Sequence, residues 1–299
     1  MANDGRKSNH IMISDREPGL PYSKGLMAQS LSASGLAPDR AYDVARVLEA
    51  RLDERGEPYI EVGELRELAA SVLREREGDA AAQRFLDWEE LGRLERPLIV
   101  TLGGAPGVGK STLATLLAGR MGITRVIATD AIRNVIRAFF SHEFMPVVHY
   151  SSFEAGMSID PDEVGHGDPD IVGYLRQVAS VRTGIVAIVE RAVTERTPMI
   201  LEGVHLLPGA TKAPGCVLVE AVVAIEEEDV HRSHFSLRAG DRPATRYLDR
   251  FDQIRKLQRH LVERARGRGV PVIDATSIDA AVGAGAELIR SAVAAERSR

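Results

Sequence analysis

The stretch "GGAPGVGKST", Gly103 to Thr112, directly follows the apolar run "PLIVTL" (97–102) and leads straight into "LATLLAGRMG" (113–122). Four of its ten residues are glycine, a composition that weakens helix and strand alike. Gly104 to Ser111, "GAPGVGKS", fits the spacing G-x-x-x-x-G-K-[ST] of a phosphate-binding loop. The chemistry explains the glycine. Main-chain N–H groups must turn inward around an anionic phosphate, and a Cβ obstructs several of those turns. The helix expected from Lys110 onward aims its positive end at the same phosphates. Lys110 is expected to reach the β- and γ-phosphates, and the Ser111 hydroxyl to hold Mg²⁺. Gly104, Ala105, Gly107, Val108, Gly109, Lys110, Ser111 and Thr112 are therefore the expected contacts of ATP. The competing reading is a glycine-rich turn with no ligand.

Outward from this loop, apolar runs alternate with helical stretches. The candidate strands are "LIVTLGG" (98–104), "RVIATD" (125–130), "MILEG" (199–203), "VLVEAVVAI" (217–225) and "PVIDAT" (271–276). That alternation predicts an α/β fold, a P-loop kinase-type parallel sheet flanked by helices, over residues 95–299. Continuous apolar strands fit burial on both faces. Residues 1–94 read as a smaller, mostly helical N-terminal domain. It opens with a hairpin in "IMISDREPGLPYS" across "EPG" and continues into helical patterns. In "PDRAYDVARVLEARLDERG", Ala41, Val44, Val47, Leu48 and Leu52 follow helical spacing, with Pro38 at the start and Gly56 past the end. Phe85 and Trp88 are expected to anchor that domain's core, and "RLERPL" around Pro97 to join the two domains.

A phosphate loop alone does not separate a kinase from an ATPase or a switch. In an open α/β sheet the second ligand belongs at the carboxyl edge of the strands. Asp130, at the end of the predicted second strand, is placed to orient or deprotonate an acceptor hydroxyl. Arg133 and Arg137, one helical turn apart, suit an anionic acceptor. The alternatives are a helix cap for Asp130 and a solvated face for Arg133. Glu202, after "MIL", suits a carboxylate beside Mg²⁺ in place of the usual Asp, or a loop cap. The segment "HRSHFSLRAGDRPATRYLDR" (231–250) concentrates Arg232, Arg238, Arg242, Arg246 and Arg250. It reads as an arginine-bearing lid that neutralises charge in phosphoryl transfer, or as a solvated helix with ordinary ion pairs. His149 and Ser152 either touch the acceptor or stitch a loop together.

Composition narrows the classes. Of 299 residues, 44% are hydrophobic and 27% charged, and the net charge of −5 argues against a broad nucleic-acid-binding surface. A single cysteine, Cys216, excludes an intramolecular disulfide and reads as a buried structural thiol. The N-terminal residues lack a signal-peptide core, and no stretch approaches the roughly 20 apolar residues that span a bilayer. A cytoplasmic protein with neither membrane nor nucleic-acid partner is expected, homo-oligomerisation being left open.

Taken together, "LIVTLGGAPGVGKSTLA", "VIATDAIRNVIR", "HYSSFEA", "ILEGVHLLPG" and "RYLDRFDQIRKLQRHLVERARGRGVPVIDA" resemble 2-phosphoglycerate kinases over nearly all of residues 98–285. "PYSKGLMAQSLSASGLAPDRAYDVA" resembles the ATP-cone-like module that precedes the kinase in that family. The resemblance implies transfer of the γ-phosphoryl group of ATP, with Mg²⁺, to the free hydroxyl of a phosphoglycerate. The product would be 2,3-diphosphoglycerate. By position the resemblance carries nucleotide and Mg²⁺ binding to Lys110 and Ser111, with Asp130, Arg133 and Glu202 flanking the reaction. The reading of the residues adds Arg238 and Arg242 to Lys110 and Asp130 as expected catalytic groups, and Arg137, Ser152 and His205 to Asp130 and Arg133 as expected acceptor contacts. Ser111 and Glu202 are the implied metal ligands. The alternatives are a kinase of another small phosphorylated or polyhydroxy acid, and an ATP-sensing regulatory protein.

Overall fold

Apolar residues at helical spacing build the N-terminal unit. The computed structural model describes residues 11–14, 20–237 and 244–298. They fall into two compact units, Met1–Arg93 with Gly119–Gly122, and Leu94–Ala118 with Ile123–Arg299. In the first, β1 (Met12–Ser14), β2 (Leu20–Pro21), α1 (Lys24–Ala33), α2 (Pro38–Arg55), β3 (Tyr59–Glu61), α3 (Val62–Glu77) and α4 (Asp79–Gly92) follow in order. α2 begins on Pro38, whose fixed φ suits a first helical position, and stops at Gly56 in the left-handed region (φ 66°). Its Ala41, Val44 and Leu48 pack with Leu31, Val72, Leu73 and Phe85, while Trp88 is only half-buried. β1 pairs antiparallel with β2 and parallel with β3. The "EPG" turn of the expected hairpin lies outside the described residues. β3 is an addition that the sequence reading lacked. At three residues, with only Ile60 buried, it is too short to stand out from a turn.

The second unit alternates strand and helix. It contains β4 (Leu98–Gly103), α5 (Lys110–Met121), β5 (Arg125–Ala128) and α6 (Thr129–Phe139). Two single-turn 3₁₀ helices (Pro146–His149 and Ala155–Ser158), α7 (Pro161–Val164) and α8 (Pro169–Thr194) follow. The chain closes with β6 (Met199–Glu202), β7 (Val217–Ala224), α9 (Glu228–Leu237), α10 (Ala244–Asp249), α11 (Phe251–Arg268), β8 (Val272–Asp274) and α12 (Ile278–Arg297). The sheet order is β5-β6-β4-β7-β8, every pairing parallel. This is the expected α/β architecture. β4 lies at the centre, buried at all six positions, as a strand covered on both faces must be.

Register positions the site. Glu202 at the end of β6 pairs with Leu102 of β4 on one side and with Ala128 of β5 on the other. The glycine-rich loop, the start of α6 and the residues after β6 therefore leave the sheet from one carboxyl edge, where open α/β sheets bind ligands. β5 is shorter than expected. It ends at Ala128, so Asp130 stands in the first turn of α6 rather than at a strand end.

α8 corrects a second expectation. Its 26 residues are long and apolar enough, by length and composition alone, to cross a membrane. Here they serve a different purpose: Val181, Ile185, Val189 and Ala192 are buried with Ile132 of α6 and with Ile99, Met199 and Leu201 of the sheet. The same cluster takes in Cys216, a free and buried thiol. Ile185→Ala should destabilise this unit by about 2–5 kcal/mol through the transfer and cavity terms of a core truncation. A chemical-denaturation midpoint followed by circular dichroism tests this, and an unmoved midpoint would show that α8 is not a core helix.

Candidate active site

The glycine-rich loop is shaped by what lies behind it. Gly107 adopts φ +86°, and a Cβ there would stand 2.3 Å from Cζ of Phe235 on α9. No side chain fits between the loop and that ring, so this glycine is a packing requirement as much as a conformational one. Ala105 and Val108 are fully buried and present only main-chain atoms to a ligand. Lys110 is buried and its Nζ donates to the Ala105 carbonyl at 2.7 Å. Ser111 and Thr112 are exposed in the first turn of α5, where the helix's leading N–H groups have no partner within the helix. The Ser111 hydroxyl donates to Glu202 Oε1 at 2.9 Å. A hydroxyl and a carboxylate, 91 residues apart in sequence, thus meet at the mouth of the loop.

Two histidines that the sequence reading passed over fasten the loop from α9. His231 Nε2 lies 2.8 Å from the Pro106 carbonyl and His234 Nδ1 lies 3.0 Å from the Gly107 carbonyl. A carbonyl oxygen only accepts, so both nitrogens carry hydrogens. His231 Nδ1 then faces Nη1 of Arg255 at 3.4 Å. Arg255 is itself buried and donates to the Ile225 and Glu226 carbonyls at 2.7 Å each. Both stand in "HRSH" (231–234), at the start of the arginine-rich segment.

On the opposite side of the row, Asp130 is exposed and sits 3.4 Å from Nε of Arg133. Arg133 spends its Nη1 on the carbonyls of Val148 and Tyr150, at 2.8 and 3.2 Å. It staples a loop to α6. Arg137 is exposed and has no ion pair among the described residues. Ser152 is buried, and His149 Nε2 lies 2.9 Å from the Phe140 carbonyl. His205 lies deeper than the other expected acceptor contacts. It is 2% exposed, with Thr129 Oγ1 at 2.9 Å from Nδ1 and Gln177 Oε1 at 3.0 Å from Nε2. Both ring nitrogens are thus occupied by side chains.

Of the arginines expected in a lid, Arg238 and Arg242 lie outside the described residues. The other three have structural partners. Arg232 stacks over Phe251 at 4.1 Å, Arg246 pairs with Glu154, and Arg250 approaches the Met157 sulfur at 3.9 Å. Among the described residues no group of three or more His, Cys, Asp or Glu side chains could hold a metal ion. Ser111 and Glu202 nonetheless supply hard oxygen donors, the type that Mg²⁺ takes in ones and twos beside nucleotide phosphates.

No protein-family model matches the chain. The chain is similar to the 2-phosphoglycerate kinase of Thermococcus kodakarensis, with 38% identity over 274 residues covering 91% of this chain and 93% of the relative. It is 35% identical to that of Methanococcus maripaludis over 284 residues, 92% of this chain and 90% of the relative. The 2-phosphoglycerate kinase of Methanopyrus kandleri is 36% identical over 287 residues, 92% and 86% of the two chains. Among solved structures, shikimate kinase from Bacteroides thetaiotaomicron matches 64% of this chain and 98% of its own, with 15% identity and a TM-score of 0.38, too loose a likeness to bear on the chemistry.

Burial pulls His231 down from 6.5 to about 4, with Arg255 adding to the effect and the Pro106 carbonyl opposing it. Burial does the same to His205, to about 4, against the opposing charge of Asp130. A depressed folded pKa means that the unfolded chain takes up the proton first as pH falls. The stabilisation is complete above about 6.5 and is lost between there and about 4, at up to about 1.4 kcal/mol per pH unit for each histidine. Unfolding free energy measured across that window should fall less steeply for His231→Gln than for the parent. Parallel curves would show that His231 is not held neutral.

Proposed function

The chain belongs to the 2-phosphoglycerate kinase family, and from that premise we propose that it transfers the γ-phosphoryl group of ATP to the free hydroxyl of 2-phosphoglycerate, giving 2,3-diphosphoglycerate. The supporting observation is the Ser111–Glu202 hydrogen bond at the row where β4, β5 and β6 end. It sets a pair of hard oxygen donors between the phosphate loop and the turn of α6 that carries Asp130.

The residues divide the work by chemistry. The amides of Gly104–Ser111 and the start of α5 bind the phosphates, and Lys110 supplies a compact positive charge beside them. Ser111 and Glu202 would hold Mg²⁺, which when bound neutralises charge on the phosphate oxygens. Asp130 orients the acceptor hydroxyl and accepts its proton as the oxygen–phosphorus bond forms and ADP departs. Little covalent help is required, since such transfers depend on positioning and electrostatics. Arg137, the exposed arginine of α6, suits the acceptor's carboxylate or phosphate. Arg133 and Ser152 shape the acceptor wall. Arg238 and Arg242 are assigned to the transferring group from their sequence alone. The division into an ATP-cone-like module over 1–94 and a kinase domain over 95–299 likewise rests on sequence resemblance.

The test is ADP release from purified protein and Mg-ATP with a panel of 2- and 3-phosphoglycerate, glycerate and inositol phosphates, followed by product NMR. 2-Phosphoglycerate should stimulate release most, with the new phosphate on its free hydroxyl. Preference for another member, or stimulation by none, would overturn the proposal. Lys110→Ala should lower turnover about 10²–10³-fold with the circular dichroism spectrum unchanged. Arg137→Ala should raise the acceptor KM about ten-fold and leave the ATP KM alone, as loss of a charge-assisted contact to one substrate requires. Equal changes in both constants would remove Arg137 from the acceptor site.

A further inference from the structure

The buried groups around His205 have a direction that can be worked out from one end. Gln177, on α8, has its Nε2 2.6 Å from the Val147 carbonyl and 3.0 Å from the Tyr150 carbonyl. Two acceptors at those distances require the amide nitrogen there, so Oε1 must face the other way, toward His205. An amide oxygen only accepts. His205 Nε2, 3.0 Å away, therefore carries the hydrogen. In a neutral ring Nδ1 is then bare and accepts from the Thr129 hydroxyl at 2.9 Å. Burial, which holds His205 neutral well below pH 7, agrees with this arrangement. Every donor has one acceptor and no member can be turned round without leaving a buried polar group unpaired.

The two ends of this chain lie at functional places. Thr129 is fully buried and immediately precedes Asp130. Val147 and Tyr150 belong to the segment that leads to Ser152. Arg133 ties the same segment from α6, through Val148 and Tyr150. Space for the Thr129 hydroxyl is provided by Gly203, directly after Glu202. A Cβ on Gly203 would lie 1.8 Å from Thr129 Oγ1. The residue following the carboxylate beside Ser111 is thus small because a hydroxyl occupies the place of its side chain. Tyr174 and Arg264 hold the rest of that turn, through the Val204 carbonyl at 2.7 Å and the Pro208 carbonyl at 3.0 Å.

We infer that Thr129, His205 and Gln177 form a one-way hydrogen-bond relay that sets Asp130 and the Val147–Ser152 segment at a fixed separation, which makes all three positioning residues for the acceptor. The inference rests on the kinase reading for its kinetic consequence. Its geometry can be judged without that reading. The relay acts on the acceptor side only; the nucleotide side is fastened separately, by α9.

Thr129→Val removes the hydroxyl and keeps the shape, whereas Thr129→Ser keeps the hydroxyl. With Mg-ATP and whichever panel acceptor the parent turns over, Thr129→Val should lower kcat/KM for the acceptor by about five- to a hundred-fold, the cost of one unpaired buried group. The ATP KM should stay within about two-fold, and Thr129→Ser should recover most of the loss. Gln177→Leu should give a similar acceptor defect, and the double variant should be no worse than the worse single one, because both break the same chain. Additive losses, equal damage to ATP binding, or a Thr129→Ser variant as poor as Thr129→Val would each overturn the relay. Long-range ¹⁵N–¹H NMR on histidine-labelled parent protein provides the independent readout. His205 should be protonated at Nε2 and bare at Nδ1 near neutral pH, and the opposite tautomer would also overturn it. If the parent releases ADP with no acceptor, the phosphoglycerate reading fails. The tautomer, and its loss in Gln177→Leu, then decide the relay alone.

Discussion

Three parallel strands ending in one row form the constraint on which the site depends. Leu102, Glu202 and Ala128 are register partners, so the chain segments beyond them have to share one edge of the sheet. From that follows the Ser111–Glu202 hydrogen bond, which joins the phosphate loop to β6. The placement of Thr129 and Asp130 on the far side of Glu202 follows too. A slip of β6 by one residue would turn Glu202 to the opposite face and separate the hydroxyl from the carboxylate.

The edge is fastened on both sides by helices from later in the chain. On the side of the glycine-rich loop, α9 donates from His231 and His234 to the carbonyls of Pro106 and Gly107, and Phe235 closes against Gly107. On the side of Asp130, α8 and α6 hold the Val147–Tyr150 carbonyls through Gln177 and Arg133. α10 connects the two. Tyr247 stacks on Phe235 with ring centres 5.1 Å apart and meets Phe153 at 5.4 Å, and its neighbour Arg246 pairs with Glu154. This small-molecule kinase thus joins the ring behind its phosphate loop to the segment beside Ser152.

How much of this was legible in the chain depends on how local the cause is. β4 is legible because a strand buried on both faces is apolar nearly throughout, as in "LIVTL". The strand of "RVIATD" ends earlier than its sequence suggests because Thr129 continues a β-compatible run that the first turn of α6 claims. β3 left no trace because a three-residue strand does not stand out from a turn. The position of Glu202 at the end of a strand is legible from "MIL" before it, whereas the burial of His205 between two polar partners is not. Its partners Gln177 and Thr129 stand 28 and 76 residues away, in segments read as helix and strand end with no polar role.

By itself the sequence determined the phosphate loop and the α/β class, together with the carboxylate and hydroxyl that meet beside the loop. A loop that wraps an anion must place glycines, a lysine and a hydroxyl at contiguous positions, and strand burial writes itself into contiguous apolar residues. Only the tertiary structure decided which polar side chains support that site. It turned His205 inward, spent Arg133 on loop carbonyls and brought His231 and His234 beneath the loop. Hydrogen bonds between buried groups are satisfied by whichever residue folding brings within about 3 Å, and that distance bears no relation to separation along the chain.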